Sequence, residues 1–260
     1  MRILSLTSLF AVLALSSAAL AGPPDAATIA EKMKAAIEPD RSSTRNVVMV
    51  IHSAGETVQW TARQARKKVA DHKRILTVLE EPADVKGVAV LVEERKDKDT
   101  NEQWVYLPPI RRVRTILGFG AFESFLGTDF TYQDLGFIDL NHRTFTLLGE
   151  ETVAGTSCYN VQEVPKNNFY YSRIVSLIAK DSLLPLRREY YDVANNLWKT
   201  ETFQGIQTVS GIATPLHIRM EDVQTGTSTE LKMSELRYDV ELPDSLFKPE
   251  LLAEVLKHPF

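Results

Sequence analysis

Between Trp104 and Leu135 the chain reads WVYLPPIRRVRTILGFGAFESFLGTDFTYQDL, and most of its chemically capable side chains gather here. Arg111, Arg112 and Arg114 put three guanidiniums within four positions. Such a cluster can hold an anionic headgroup or dock a partner, or it can spend itself on ion pairs with nearby carboxylates. Phe119, Phe122, Phe125 and Phe130, with Leu126, lie between Gly118, Gly120 and Gly127. Large apolar side chains on a glycine-punctuated connection either bury against a sheet as core or cover an apolar cavity that the sheet leaves open. Asp129, Asp134 and Asp139 recur every five residues, a spacing that neither a helix nor a strand brings onto one face. Acid–base chemistry would need two of them to meet in space, and Asp129 and Asp134 are the pair to test for a hydrolase or isomerase.

Other catalytic signatures are missing. Gly118-Phe119-Gly120 opens like a dinucleotide loop, but Glu123 stands at the sixth position and no βαβ pattern surrounds it. Gly155-Thr156-Ser157-Cys158 reads as a hairpin turn, and Cys158, the one cysteine, as a small structural side chain. The five histidines show no metal-ligand spacing. No catalytic residue, metal or cofactor is expected. A formal charge of −4 with interspersed signs argues against nucleic acid as a partner.

The elements that must position these residues begin after a leader. Arg2, the apolar run Ile3 to Leu15 and Ala19-Leu20-Ala21 form a cleavable signal over 1–21, so a soluble exported chain starting at Gly22 is expected, with charge −5 once Arg2 is gone. Residues 22–260 read as a single domain without a disulfide, and as a monomer. Asp25 is placed to cap a helix over Ala26 to Ile37, with Ile29, Met33 and Ile37 on its apolar face. Period-two segments then follow: 46–51, 57–63, 72–80 and 88–94 before the central stretch, and 144–147, 159–162, 173–180, 186–192, 197–204, 216–221 and 231–234 after it. Leu251, Leu252, Val255 and Leu256 give the tail an apolar stripe after Pro249.

About ten or eleven antiparallel strands in one sheet must twist and curl, which predicts a mainly β, incomplete barrel with helical cover on its concave side. A sheet that wide leaves a void where a smaller barrel fills itself, and an apolar void in an exported protein points to an apolar ligand. Trp60, Val90, Trp104, Tyr106 and Ile218 are the expected strand-borne lining, with solid core as the alternative. Phe119, Phe122 and Phe125 are expected as a movable cover.

A strand ending W-x-Y-L-P, then R-R-x-R, then S-F-x-G-T-D-F-x-Y-x-D-L resembles the outer-membrane lipoprotein-sorting family, the LolA-like periplasmic proteins, in the subgroup linked with RND-type exporters. The matching residues are Trp104, Tyr106, Leu107, Pro108, Arg111, Arg112, Arg114, Ser124, Phe125, Gly127, Thr128, Asp129, Phe130, Tyr132, Asp134 and Leu135. The resemblance implies an incomplete barrel with a helical lid and an acyl-chain cavity in a Gram-negative periplasm. It further implies a carrier or chaperone role without catalysis, with lipoprotein acyl chains or membrane lipid as cargo and an RND-type exporter or an outer-membrane acceptor as partner.

Overall fold

The computed structural model describes residues 24–53, 55–69, 71–95, 101–166, 170–258 and 260; the leader expected over 1–21 lies outside them. Helix α1 (Ala26–Ile37) starts where the capping residue predicts, with the Asp25 carboxylate accepting from Thr28 N at 3.3 Å. The strands are β1 (Ser43–Ser53), β2 (Glu56–Val69), β3 (His72–Glu81), β4 (Ala89–Arg95), β5 (Glu102–Leu107), β6 (Arg112–Ile116), β7 (Arg143–Val153), β8 (Thr156–Pro165), β9 (Arg173–Ala179), β10 (Pro185–Tyr191), β11 (Leu197–Val209), β12 (Ile212–Asp222) and β13 (Thr227–Tyr238). All thirteen form one antiparallel sheet in the order β6-β5-β4-β3-β2-β1-β13-β12-β11-β10-β9-β8-β7.

That order explains the long central connection. From β1 the chain meanders outward to one edge at β6, restarts at the far edge with β7, and meanders back until β13 pairs with β1. The segment between β6 and β7 therefore crosses the full width of the sheet. Every other pair of consecutive strands is joined by seven residues or fewer. The sequence pattern had not marked β6. Pro108–Ile110 forms a 3-10 turn, Arg111 takes a left-handed φ of 50°, and Arg112–Ile116 then pairs back on β5. Arg112 and Arg114 thus ride an exposed edge strand, where charged side chains discourage pairing with another chain.

Direct cross-strand pairing sorts the apolar side chains by face. Met49 stands opposite both Trp60 and Leu231, Ile75 opposite Val92, and Val90 opposite Val105, and all seven belong to one core on the inner face. The alternate positions form a second core on the outer face: Leu76 opposite Leu91, and Leu91 opposite Trp104. The tail covers this outer face. Leu246 and Phe247 in the 3-10 turn Asp244–Phe247, and Leu252 and Val255 in Pro249–Lys257, bury against it. The two cores satisfy strands that are apolar on both faces, but they separate the covers: the tail is not on the concave side. There α1 lies with the central loop. It packs against β7, β8 and β12, and since β12 and β7 sit five strands apart in the sheet, the helix bridges the hollow of the curl.

Candidate functional site

Inside the curl, the crossing loop folds into a compact knot. Phe125 N donates to Phe130 O at 2.8 Å and Tyr132 N to Glu123 O at 3.2 Å, while Thr128 N donates to Phe125 O at 3.0 Å. The last bond closes a tight turn whose two central residues, Leu126 (φ 51°) and Gly127 (φ 87°), are both left-handed. Glycine reaches that angle freely; leucine does so only under constraint. The constraint is visible: Leu126 packs against the inner core.

Polar ties then fasten the knot to the sheet. The Asp129 carboxylate accepts from Thr227 Oγ1 at 2.5 Å and Thr229 Oγ1 at 2.7 Å, its own N–H donates to Thr229 Oγ1 at 3.0 Å, and its carbonyl accepts from Lys199 Nζ at 2.6 Å. One residue thereby pins the loop to β13 and β11. Asp134 and Thr131 hold the following turn by exchanging side-chain-to-backbone bonds of 2.9 and 3.0 Å, and Tyr171 Oη donates to Asp134 Oδ2 at 3.1 Å. Asp129 and Asp134 do structural work in separate ties.

The phenylalanines divide. Phe125 is 0% exposed and Phe130 1%, and Phe125 meets the rings of Trp60 and Tyr132 edge-on at 6.4 and 5.3 Å. These two plug the inner core. Phe122 stacks on Tyr170 at 5.6 Å, while Phe119, at 77% exposure, meets the ring of Phe122 at 6.5 Å. Of the three residues expected as a cover, Phe125 is thus enclosed in the inner core, where it and Phe130 fill the centre as a plug, while Phe119 stands exposed at the other end of the loop.

Beyond the plug a cavity of about 120 Å³ remains, under the C-terminal end of α1 and between the loop and strands β7 to β13, with β1 and β2. That is below the ~300–1,000 Å³ of sites that enclose drug-sized ligands. Its lining is mixed, with charged side chains set among apolar ones. Glu38, Arg45, Arg66, Arg143, Glu163, Arg188 and Glu201 face it, with Ile174, Tyr190, Phe203 and Ile218 between them. On one wall the charges are paired: Arg188 Nη2 lies 3.1 Å from Glu163 Oε1, Arg143 Nη1 lies 3.5 Å from the same oxygen, and Tyr190 Oη donates to Glu201 Oε2 at 2.5 Å. Burial pushes the Glu201 carboxyl above its ordinary value, against the pull of Arg188. Burial raises Glu38 too, against Lys34 and a 2.6 Å bond from Ile138 N.

The raised Glu38 carboxyl carries a pH signature. A group whose folded-state pKa exceeds its unfolded value contributes stability that is fully present below the unfolded value, about 4.5, and is lost as pH rises through the folded one. Wild type should therefore lose stability relative to Glu38→Gln as the pH climbs from about 4 to about 8. Urea midpoints of the two proteins across that range test this, and a constant difference would rule it out.

A family model described as "Uncharacterized protein" matches residues 71–254. A crystallised DUF1329 family protein from Desulfovibrio piger is 32% identical, with a TM-score of 0.82 over 87% of this chain and 97% of its own. The chain belongs to the DUF1329 family. A domain from Vibrio parahaemolyticus provisionally named for outer-membrane lipoprotein sorting is 28% identical, with a TM-score of 0.82 over 88% of this chain and 98% of that one. A LolA superfamily protein from Nitrosomonas europaea, at 20% identity and a TM-score of 0.69 over 87% of this chain and 98% of its own, shares the fold. Among curated protein sequences no match is found.

In this DUF1329 protein the expected lining residues scatter. Ile218 reaches the cavity; Trp60, Val90, Phe125, Leu126 and Phe130 sit in or against the inner core beside it. Trp104 and Tyr106 are on the opposite face, against the core that the tail covers, because they alternate with the inward Val105. Arg111, Arg112 and Arg114 are exposed at the sheet edge, away from the cavity lining, and none makes an ion pair among the described residues. The charged lining went unread, although inward parity with Tyr190 could have marked Arg188. Cys158 is fully buried, and among the described residues no group of three or more His, Cys, Asp or Glu is placed to hold a metal. No helix among the described residues is long and apolar enough to cross a membrane.

Proposed function

We propose that this DUF1329 protein is a periplasmic carrier that takes acyl chains of a lipoprotein or lipid into its half-barrel, and that it loads by displacing its own aromatic plug. One observation carries the proposal: the inner core is completed by Phe125 and Phe130, which belong to a crossing loop rather than to a strand. Moving that single segment opens an apolar site without disturbing a single strand pair.

Magnitudes favour the exchange. Returning two phenylalanines to water costs about 1.5–3 kcal/mol each. A sixteen-carbon chain gains on the order of 12 kcal/mol gross, at ~0.8 kcal/mol per methylene. Immobilisation removes a large part of the difference and leaves room for reversible affinity. The 28% identical Vibrio domain, named for lipoprotein sorting, supports the same cargo class. Gently purified protein, examined by native mass spectrometry and then challenged with fluorescent fatty-acyl probes, provides the test. Bound lipid or saturable probe uptake is expected; an empty protein that takes up no probe would end the carrier reading.

A further inference from the structure

Opposite the paired wall of the cavity stand two arginines that the paired network does not reach. Arg45 lies on β1 and Arg66 on β2, and both line the cavity. Ser43 pairs with Arg66, and Arg45 falls two residues further along β1, on the same face. Arg45 is 6% exposed, yet among the described residues its one hydrogen bond is a 3.3 Å donation from Nη1 to the Met233 sulfur, a weak acceptor. The Nε of each arginine is buried without a partner, and neither guanidinium has a carboxylate within ion-pair distance among the described residues. Burial, together with the neighbouring Arg66, lowers the Arg45 guanidinium to about 9, so it is still charged at neutral pH.

Two adjacent cations, Arg45 buried and Arg66 half-buried with its Nε enclosed, are an unstable arrangement with unused donors unless something negative joins them. The nearest internal candidate is Glu38, whose charge acts on Arg66 from beyond ion-pair distance: its Oε1 accepts from Ile138 N, and its Oε2, 3.7 Å from Lys34, accepts no hydrogen bond among the described residues, so it offsets the pair only in part and leaves the arginine donors unused. What fits is a compact oxyanion, because planar guanidiniums match the paired oxygens of carboxylate and phosphate.

We propose that Arg45 and Arg66 form a buried oxyanion site in the half-barrel cavity, taking the carboxylate or phosphate group of a ligand. The volume agrees, being large enough for such a group and too small for an acyl chain beside the seated plug. The site adds to the carrier reading a place for the anionic end of an amphiphile, but it does not depend on that reading. A free small anion would satisfy the same donors.

The test uses three probes on the full mature chain: inorganic phosphate, sodium palmitate and monopalmitin, which carries the same acyl chain without a charge. Binding is read by calorimetry and by thermal shift in wild type, Arg45→Met, Arg66→Gln and the double variant. Phosphate or palmitate should bind wild type, and each single variant should weaken that binding at least tenfold. Removing an unpaired buried charge should also leave the ligand-free melting temperature unchanged or raise it. Phosphate binding alone identifies a small-anion site, and palmitate binding alone the head of an amphiphile; both support the proposal. If neither binds wild type, or if both bind Arg45→Met and Arg66→Gln as they bind wild type, the proposal is wrong. Monopalmitin binding that no variant alters, without phosphate or palmitate dependence on the arginines, would overturn the oxyanion site and leave the carrier intact. Should the double variant fail to fold, the single variants decide.

Discussion

Phe125→Ser should destabilise this protein by about 3–5 kcal/mol, the usual loss for truncating a core phenylalanine. Phe119→Ser, six residues earlier in the same loop, should stay within about 0.5 kcal/mol of wild type. The contrast follows from burial, since Phe125 is wholly enclosed between Trp60 and Tyr132 while Phe119 is 77% exposed. Chemical denaturation of both variants separates them clearly. A loss of that size is a large share of the roughly 5–15 kcal/mol that holds a typical domain together. Plug and carrier are compatible: a side chain can stabilise the empty protein and still leave when a longer apolar chain replaces it. Phe125→Ser should accordingly hold a fatty-acyl probe more tightly than wild type relative to its own stability, because less must be displaced. If Phe125→Ser is as stable as wild type, Phe125 is no plug. If Phe119→Ser proves as costly as Phe125→Ser, the division of the loop into an enclosed plug and an exposed end is wrong.

The fold was legible wherever local pattern and tertiary burial agree. Asp25 and the four-residue recurrence of Ile29, Met33 and Ile37 announce α1 because capping and amphipathicity are local properties. Val88 to Val92 announces a strand needing cover on both faces, and it has it, from the loop on one side and from Leu252 and Val255 on the other. Strand β6 was hidden because nothing in Arg112–Ile116 alternates in burial: an edge strand exposed on both faces has no inward set to betray it. Trp104 and Tyr106, expected in the lining, fall on the outer face by parity. Only the register with Leu91 tells which face of β5 looks inward, and register is a long-range fact. The charged cavity was unreadable for a related reason. Arg45, Glu163, Arg188 and Glu201 sit on four strands far apart in sequence, and each alone resembles an ordinary surface charge. The sheet's order alone brings them to one cavity.

The same distance hid the meaning of Asp129, whose two threonine partners lie 98 and 100 residues away. Asp129→Ala should release the plug without unfolding the sheet. The variant loses two hydrogen bonds to a carboxylate, worth about 1.5–3 kcal/mol each, and leaves buried Thr229 without its acceptor. The loss falls on the loop because every tie that Asp129 makes runs from the loop to β13 or β11, and the strand pairs themselves are untouched. Local opening should therefore become easier by on the order of a hundredfold or more, at about 1.4 kcal/mol per factor of ten. Hydrogen exchange reads this directly. The amides of Phe125, Thr128 and Tyr132, whose acceptors are within the knot, should lose protection by that factor, while the amides that bond β1 to β2 keep theirs. Acyl-probe uptake should accelerate in parallel, since the proposed loading by plug displacement requires the loop to open first. Asp129→Asn retains one acceptor oxygen and should fall between the two. If the knot amides of Asp129→Ala stay as protected as in wild type, the clamp lies elsewhere in the loop. If protection falls across β1 and β2 equally, the plug and the sheet open as one unit, and loading by displacement of the loop alone is ruled out.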